Sequence, residues 1–469
     1  MNIGYSIKRL NDVVRALLMQ RKQNRLISGT RQDLQDYQQQ NLSALVAYSV
    51  RNSPFYRELY GNIQSDKFLL TDLPVTNKSM MMDNFDQFVT DPRLKLTELQ
   101  EHIRTLTTDE YYLGEYRVTA TSGSSGLKGI FVSSRKEWST ALTAYLRCGS
   151  YMGLTPRLPK RRKISTIGAD SPIHVSYRMA ISSDIGLMKT QRLDATLGIE
   201  QQCAALNSFQ PEFLSAYPSI ASLLAREQLE GRLSINPQVI STFGEVCTGE
   251  MKRNIQEAWG IEPFNSYGMT EAGIVLGSDC SCHQGIHVFE DLFILEVVDQ
   301  QNRPVPDGTP GHKLLITNLF NVTQPIIRYE ISDLITLSPE PCPCGRPFRL
   351  VSRIDGRSDD IIYLDNQRGG KLPVHPVHFY TAMGTFQEIK LYQVIHGDNG
   401  LQIRIVVRES ASGQEVAARL KQCLESSLKA LGAQPPKIVV EIIDRFDRDP
   451  RLMGKMKLVT SLCGSSSLR

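Results

Sequence analysis

Residues 119–130 read TATSGSSGLKGI and follow a run with strand character. Serine and threonine hydroxyls, glycines that let backbone N–H groups come close, and the positive charge of Lys128 are the donors that phosphate oxygens require. The order GxxxxGK[ST] is not met, because no Lys-Ser or Lys-Thr pair follows the second glycine. Alone, such a cluster is more often a flexible turn. A second chemistry is marked by cysteine and histidine. Cys280, Cys282, His283 and His287 lie within DCSCHQGIHV, and Cys342 and Cys344 lie within PCPCGRP some sixty residues later. Thiolates and imidazole at such spacing suit a four-coordinate structural Zn²⁺, against the alternative of unliganded buried thiols.

These groups need elements to hold them. Leu42, Leu45, Val46, Ser49 and Val50 recur at helical spacing, so residues 1–60 read as a helical lead-in ending at SPFYRELY. Between about 118 and 350, β-rich runs (KISTIGA, VISTFGEV, HKLLITN) alternate with amphipathic segments (SIASLLAREQLEG, TGEMKRNIQEAWG). That alternation predicts a large layered α/β domain over 61–355. Past Asp355, the polar stretch GRSDDIIYLDNQRGGKLP precedes strand LQIRIVV, helix GQEVAARLKQCLESSLKALG and strand KIVVEII. A small α+β domain over 356–469 follows.

The bulk numbers narrow the class. A chain of 469 residues exceeds what one core usually serves. With 41% hydrophobic and 22% charged residues it is ordinary globular material. A net charge of +4 from 53 basic and 49 acidic residues argues against a nucleic-acid surface, and the basic run RLPKRRK reads as a solvated loop. No apolar run approaches the length of a membrane span, and the amino terminus lacks a signal-peptide core. The expectation is a cytoplasmic protein without membrane attachment, its 9 cysteines reduced.

TSGSSGLKG resembles the phosphate-binding loop of acyl- and aryl-CoA ligases. Four more groups resemble that family's signatures in its order: SYGMTEAG at 266–273, IIRYEISDLI at 326–335, GRSDD at 356–360, and the pair Gly454-Lys455. The chain is thereby identified as similar to the adenylate-forming superfamily. SPFYRELY and GIHVFEDLFILEVVD resemble its phenylacetate:CoA ligase branch.

The resemblance implies ATP- and Mg²⁺-dependent activation of a carboxylic acid, aromatic or otherwise compact, to an acyl-AMP, then transfer to coenzyme A. It implies that Ser122, Gly123, Ser124, Ser125, Gly126 and Lys128 hold the β- and γ-phosphates, that Thr270 meets the α-phosphate, and that Glu271 holds Mg²⁺. Gly244 and Glu245 resemble the adenine-contacting turn, with Tyr267 and Gly268 beside it. Tyr267 offers a flat face, Asp333 can accept from two ribose hydroxyls, and Arg357 reaches the nucleotide. Lys455 would bridge the attacking carboxylate and the α-phosphate, with Lys457 its rival. Asp359 resembles the pivot about which a mobile small domain turns between half-reactions. Branch members with structural zinc imply the ligands Cys280, His287, Cys342 and Cys344, with Cys282 and His283 as alternatives.

The segment IIYLDNQRGGKLPVHPV departs from the family's usual post-hinge sequence, which leaves the acceptor open among coenzyme A, a carrier-protein thiol and an amine. A non-catalytic zinc-containing binding protein is the more distant alternative. The acid pocket is expected near 216–218, Phe243 and 265–269, and the branch carries the expectation of a homodimer.

Overall fold

The computed structural model describes residues 3–61, 63, 68–121, 129–157 and 159–463. Its organising element is a nine-stranded sheet in the order Asp333–Leu337, Leu350–Arg357, Ile286–Val288, Ile274–Ser278, Phe264–Met269, Val239–Phe243, Phe213–Ala216, Lys163–Gly168, Lys189–Asp194. The last five run parallel and the first four extend the sheet antiparallel. Parallel neighbours need crossovers, which the helices Val175–Ser183, Ile199–Phe209, Pro218–Leu229 and Gly249–Trp259 supply. The alternation of β-rich and amphipathic segments is therefore the layered α/β architecture it predicts. HKLLITN sits apart, as the middle strand of a three-stranded antiparallel sheet (Phe293–Val298, Lys313–Asn318, Tyr329–Ile331).

From Lys163–Gly168 the chain first visits the edge strand Lys189–Asp194, then crosses to Phe213–Ala216 on the other side. Such a reversal opens a crevice beyond the carboxyl ends of the strands, the usual ligand position of an open α/β sheet.

The helices Ile3–Ile27, Arg31–Asn52 and Pro54–Tyr60 pack onto this body. Leu42, Leu45, Val46 and Ser49 are buried on one side of the second helix, and Val50 is half-buried at the margin. Ion pairs to buried carboxylates fasten the packing. Arg147 makes two 2.7 Å bonds to Asp291, while Arg31 and Arg349 share the Glu290 carboxylate.

From Ile362 to Val459 a separate apolar cluster forms, joined from the large body by Met251. Helix Gly413–Ala430 buries Val416, Leu420, Leu424 and Leu428, a stripe with a four-residue step, beside a sheet ordered Ile438–Ile442, Gly400–Val407, Ile389–Gly397, Val459–Ser461. Among the described residues no helix is long and apolar enough to cross a membrane.

Candidate functional site

The strands Tyr116–Ala120 and Ile130–Ser134 form an antiparallel hairpin whose last register pair is Ala120 with Ile130. Thr121 and Gly129 close its mouth. The Thr121 N–H donates to the Gly129 carbonyl at 3.0 Å, and the Gly129 N–H donates to Thr121 Oγ1 at 2.9 Å. The expected phosphate binders Ser122, Gly123, Ser124, Ser125, Gly126 and Lys128 lie outside the described residues. Lys78, at the start of helix Lys78–Asp83, donates from Nζ to Thr121 Oγ1 at 3.3 Å. Burial lowers its pKa, while the nearby Glu271 carboxylate pulls it up and Arg357 pushes it down. No sequence motif marked Lys78 for this position.

At the carboxyl end of Phe264–Met269 and on the paired strands Asp333–Leu337 and Leu350–Arg357, charges gather. Asp333 and Arg357 face one another in register. Arg357 Nε donates to Asp333 Oδ1 at 3.0 Å, and the Tyr267 hydroxyl donates to Asp333 Oδ2 at 2.6 Å. A carboxylate has about four acceptor positions, so each Asp333 oxygen keeps one for a ligand hydroxyl. Thr270 is buried, and its carbonyl accepts from the Gly273 N–H in the turn that sets out Glu271. Burial raises the Glu271 carboxyl above its ordinary range, which the backbone and Arg357 only partly offset. A carboxylate set out on such a turn is the kind of hard oxygen ligand a divalent cation takes.

The small domain reaches into this cluster. Gly454 has φ +71°, and a Cβ there would stand 2.6 Å from Ala195 Cβ, so only glycine lets this loop approach. Lys455 follows, its pKa lowered by burial and by Arg357, with Glu245, Glu271 and Asp333 opposing. Its stem runs past Gly244, where an added Cβ would meet Cε at 3.3 Å. The Glu245 carboxylate accepts from the Met456 N–H of the small domain at 2.7 Å and from the Ser219 N–H at 3.1 Å. Arg448 braces the same loop, donating to the Gly454 carbonyl at 2.7 Å and to Ser219 Oγ at 2.9 Å.

Lys457 points elsewhere, to a 2.7 Å ion pair with Asp360 in the Ser358–Asp360 turn, where the expected pivot Asp359 is exposed. His174, which sequence reasoning passed over, is buried beside Lys455. Its pKa is pushed down to about 3, first by burial and then by the lysine's charge.

On the far part of the sheet the sulfur groups converge. The ligand atoms of Cys280, His287, Cys342 and Cys344 all lie within 4.8 Å of one another. Cys280 Sγ is 3.7 Å from Cys342 Sγ, and His287 Nε2 is 3.4 Å from Cys344 Sγ. A tetrahedron with Zn–S bonds of ~2.3 Å has edges of roughly 3.8 Å. The Cys282 N–H donates to Cys280 Sγ at 3.4 Å, so Cys282 contributes its backbone to the turn. His283, at φ +50°, turns its Nδ1 to Asp279 Oδ2 at 2.8 Å.

No family model matches the chain. It is 27% identical over 393 residues to a phenylacetate-coenzyme A ligase of Thermus thermophilus, a match covering 78% of each chain. It is 27% identical over 357 residues to a second such ligase from Pseudomonas putida, covering 71% of this chain and 72% of that one. It is 23% identical over 404 residues to the protein CapK of Staphylococcus aureus, covering 83% and 82%. Among solved structures, 2-hydroxyisobutyryl-CoA ligase in its postadenylation state with an acyl-AMP superposes at TM-score 0.71, with 19% identity over 90% of this chain and 88% of that one. The same ligase in its thioesterification state superposes at 0.57, with 20% identity over the same shares.

Proposed function

Because the chain is a relative of the phenylacetate-coenzyme A ligases with the fold of the adenylate-forming CoA ligases, we propose that it activates a carboxylic acid with ATP and passes the acyl group to coenzyme A. One observation carries this reading: the Lys455 stem, from the small domain, packs against Gly244 while the Met456 N–H bonds Glu245, which brings the lysine's charge within reach of Glu271, Asp333 and Arg357. The acid's carboxylate oxygen attacks the α-phosphorus, the bond to the β-phosphate breaks, and pyrophosphate leaves. Lys455 neutralises the charge that gathers between carboxylate and α-phosphate, and a preorganised cation in a water-poor site acts strongly there. Lys78 holds the departing phosphates together with Ser122, Gly123, Ser124, Ser125, Gly126 and Lys128, as the sequence resemblance implies for those six. Asp333, fixed by Tyr267 and Arg357, accepts from the ribose. Glu271 would hold Mg²⁺, which supplies further charge neutralisation on the phosphates.

Thioester formation then requires the coenzyme A sulfur to attack the acyl carbonyl, releasing AMP. With Lys455 in place and Met456 bonded to Glu245, the small domain stands against the site. A turn about residues 358–360 would withdraw it and admit the thiol. The Cys280, His287, Cys342 and Cys344 cluster would hold a structural Zn²⁺ that pins the strands carrying the site, and its near-tetrahedral spacing supports this reading.

The test is ATP–pyrophosphate exchange across a panel of acids without coenzyme A, followed by product analysis with coenzyme A, a carrier protein and amines in turn. Acid-dependent exchange and a coenzyme A thioester are expected. No exchange with any acid sinks the activation reading.

A further inference from the structure

The crevice at the reversal of strand order is filled from within. Tyr217, fully buried, follows strand Phe213–Ala216 and accepts at its hydroxyl from the Ala169 N–H at 3.0 Å, just past strand Lys163–Gly168. Its ring meets Phe243 edge-on at 5.2 Å between centroids. Gly168 completes the closure, since a Cβ there would stand 3.1 Å from Phe243 Cζ. What remains is a cavity of about 30 Å³ between these strand ends and helix Val175–Ser183. One water needs at least ~10–15 Å³ by this measure, so the inner part of the space takes two or three non-hydrogen atoms.

The cavity adjoins the reacting end of the site. Phe243 lines it, and the next residue, Gly244, packs against the Lys455 stem. Ser176 lines it too, and shares a 2.7 Å hydrogen bond with His174 Nδ1, the imidazole beside Lys455. Its remaining walls are polar for an acyl pocket. Thr166 and Tyr177 bring hydroxyls, and Asp170 and Arg192 stand at the mouth. Among the described residues neither of these two charges has an ion-pair or hydrogen-bond partner. Arg192 meets only the Tyr177 ring, at 5.7 Å from guanidinium carbon to centroid. Opposite charges at one mouth leave no net field to favour a second carboxylate, whereas hydroxyl-bearing walls reward a hydroxyl substituent.

We infer that the acid this chain activates is a short hydroxy-substituted carboxylic acid, with two or three non-hydrogen atoms beyond the carboxylate, and not an arylacetic or benzoic acid. The inference rests on the proposed acid activation and adds the substrate class. Phe243 sets the length limit, and the hydroxyls of Thr166, Ser176 and Tyr177 set the polarity.

Pyrophosphate exchange with glycolate, lactate and 3-hydroxypropionate, against propionate, phenylacetate and benzoate, tests it. The hydroxy acids are expected to exceed both propionate and phenylacetate in kcat/KM by tenfold or more. Ala180→Leu, which fills the cavity from the helix side, is expected to lower lactate exchange at least tenfold while the KM for ATP stays put. Phe243→Ala, which opens it, is expected to shift the phenylacetate-to-lactate ratio at least tenfold toward phenylacetate. A wild-type preference for phenylacetate or benzoate overturns the inference and leaves acid activation standing. Equal use of propionate and lactate overturns the hydroxyl recognition. Exchange with no acid overturns both the inference and the activation on which it rests.

Discussion

The strands Asp333–Leu337 and Leu350–Arg357 form one hairpin whose two ends are used in opposite ways. At the open end Asp333 and Arg357 pair in register and face a lysine from another domain. At the closed end the connecting loop carries Cys342 and Cys344 to Cys280 and His287, all within neighbouring strands of one sheet and the loops that join them. The closed-end cluster is complete within the large body. The open-end cluster depends on Lys455, whose chain neighbours are held: the Met456 N–H donates to Glu245, and the Gly454 carbonyl accepts from Arg448. On the proposed function, the difference separates rigid placement from conditional placement: the first would serve stability, and the second would be made and withdrawn during a reaction cycle.

The sharpest test of that separation removes the conditional member. Lys455→Ala is expected to slow pyrophosphate exchange by about 10³-fold, on the order of 4 kcal/mol, with the melting temperature unchanged. A comparable loss of thermal stability would show that the lid contact is part of the fold and would break the comparison.

Cys342→Ser, or chelation, tests the other end. A metal held at 100 to 1,000 times its Kd stabilises by about 3–4 kcal/mol, so melting is expected to fall by about 10 °C. Exchange should decline only as the protein unfolds. Loss of exchange below the melting transition, or an unmoved transition after verified metal removal, contradicts a purely structural role.

The legibility of the two ends in the sequence differed for physical reasons. Tyr267, Thr270, Glu271, Asp333, Arg357 and Lys455 sit in short motifs, because the phosphate, ribose and metal contacts proposed for them would need particular groups at particular turns. Lys78 and His174 carry no such mark, because they come to the site through packing between elements distant in sequence. Spacing also left His283 and His287 as rivals. The backbone separates them: φ of +50° turns His283 toward Asp279, while His287, in strand Ile286–Val288, faces Cys344. The layered fold itself was readable, since hydrophobic periodicity reports which face of each element is buried.

His174 allows a smaller test on the conditional side. In the folded chain burial holds the imidazole neutral down to about pH 3, whereas an unfolded histidine takes a proton below about 6.5. The unfolded state therefore binds more protons between those values, and stability falls as pH drops through them. The loss is about 2 kcal/mol at pH 5. His174→Gln is expected to flatten the melting-temperature profile between pH 6.5 and 4. An unchanged slope would mean that the imidazole is already protonated in the folded chain, with its charge compensated beside Lys455.

The smallest expected effect distinguishes two lysines two residues apart. Lys457 forms its 2.7 Å ion pair with Asp360, whose carboxyl is pushed up by burial and drawn back by the lysine. Attraction and desolvation partly cancel in such a half-buried pair, leaving a net contribution of about 1 kcal/mol. Lys457→Met is therefore expected to change exchange by no more than about fivefold, a small effect beside that of Lys455→Ala. The two strokes of the cycle separate the roles further: a residue that fixes the lid's angle alters the ratio of exchange to thioester formation, whereas one that neutralises the transition state lowers exchange itself. If Lys457→Met matches Lys455→Ala in exchange, the charge at the α-phosphate comes from both lysines, and the assignment of one lysine to chemistry and the other to the hinge fails.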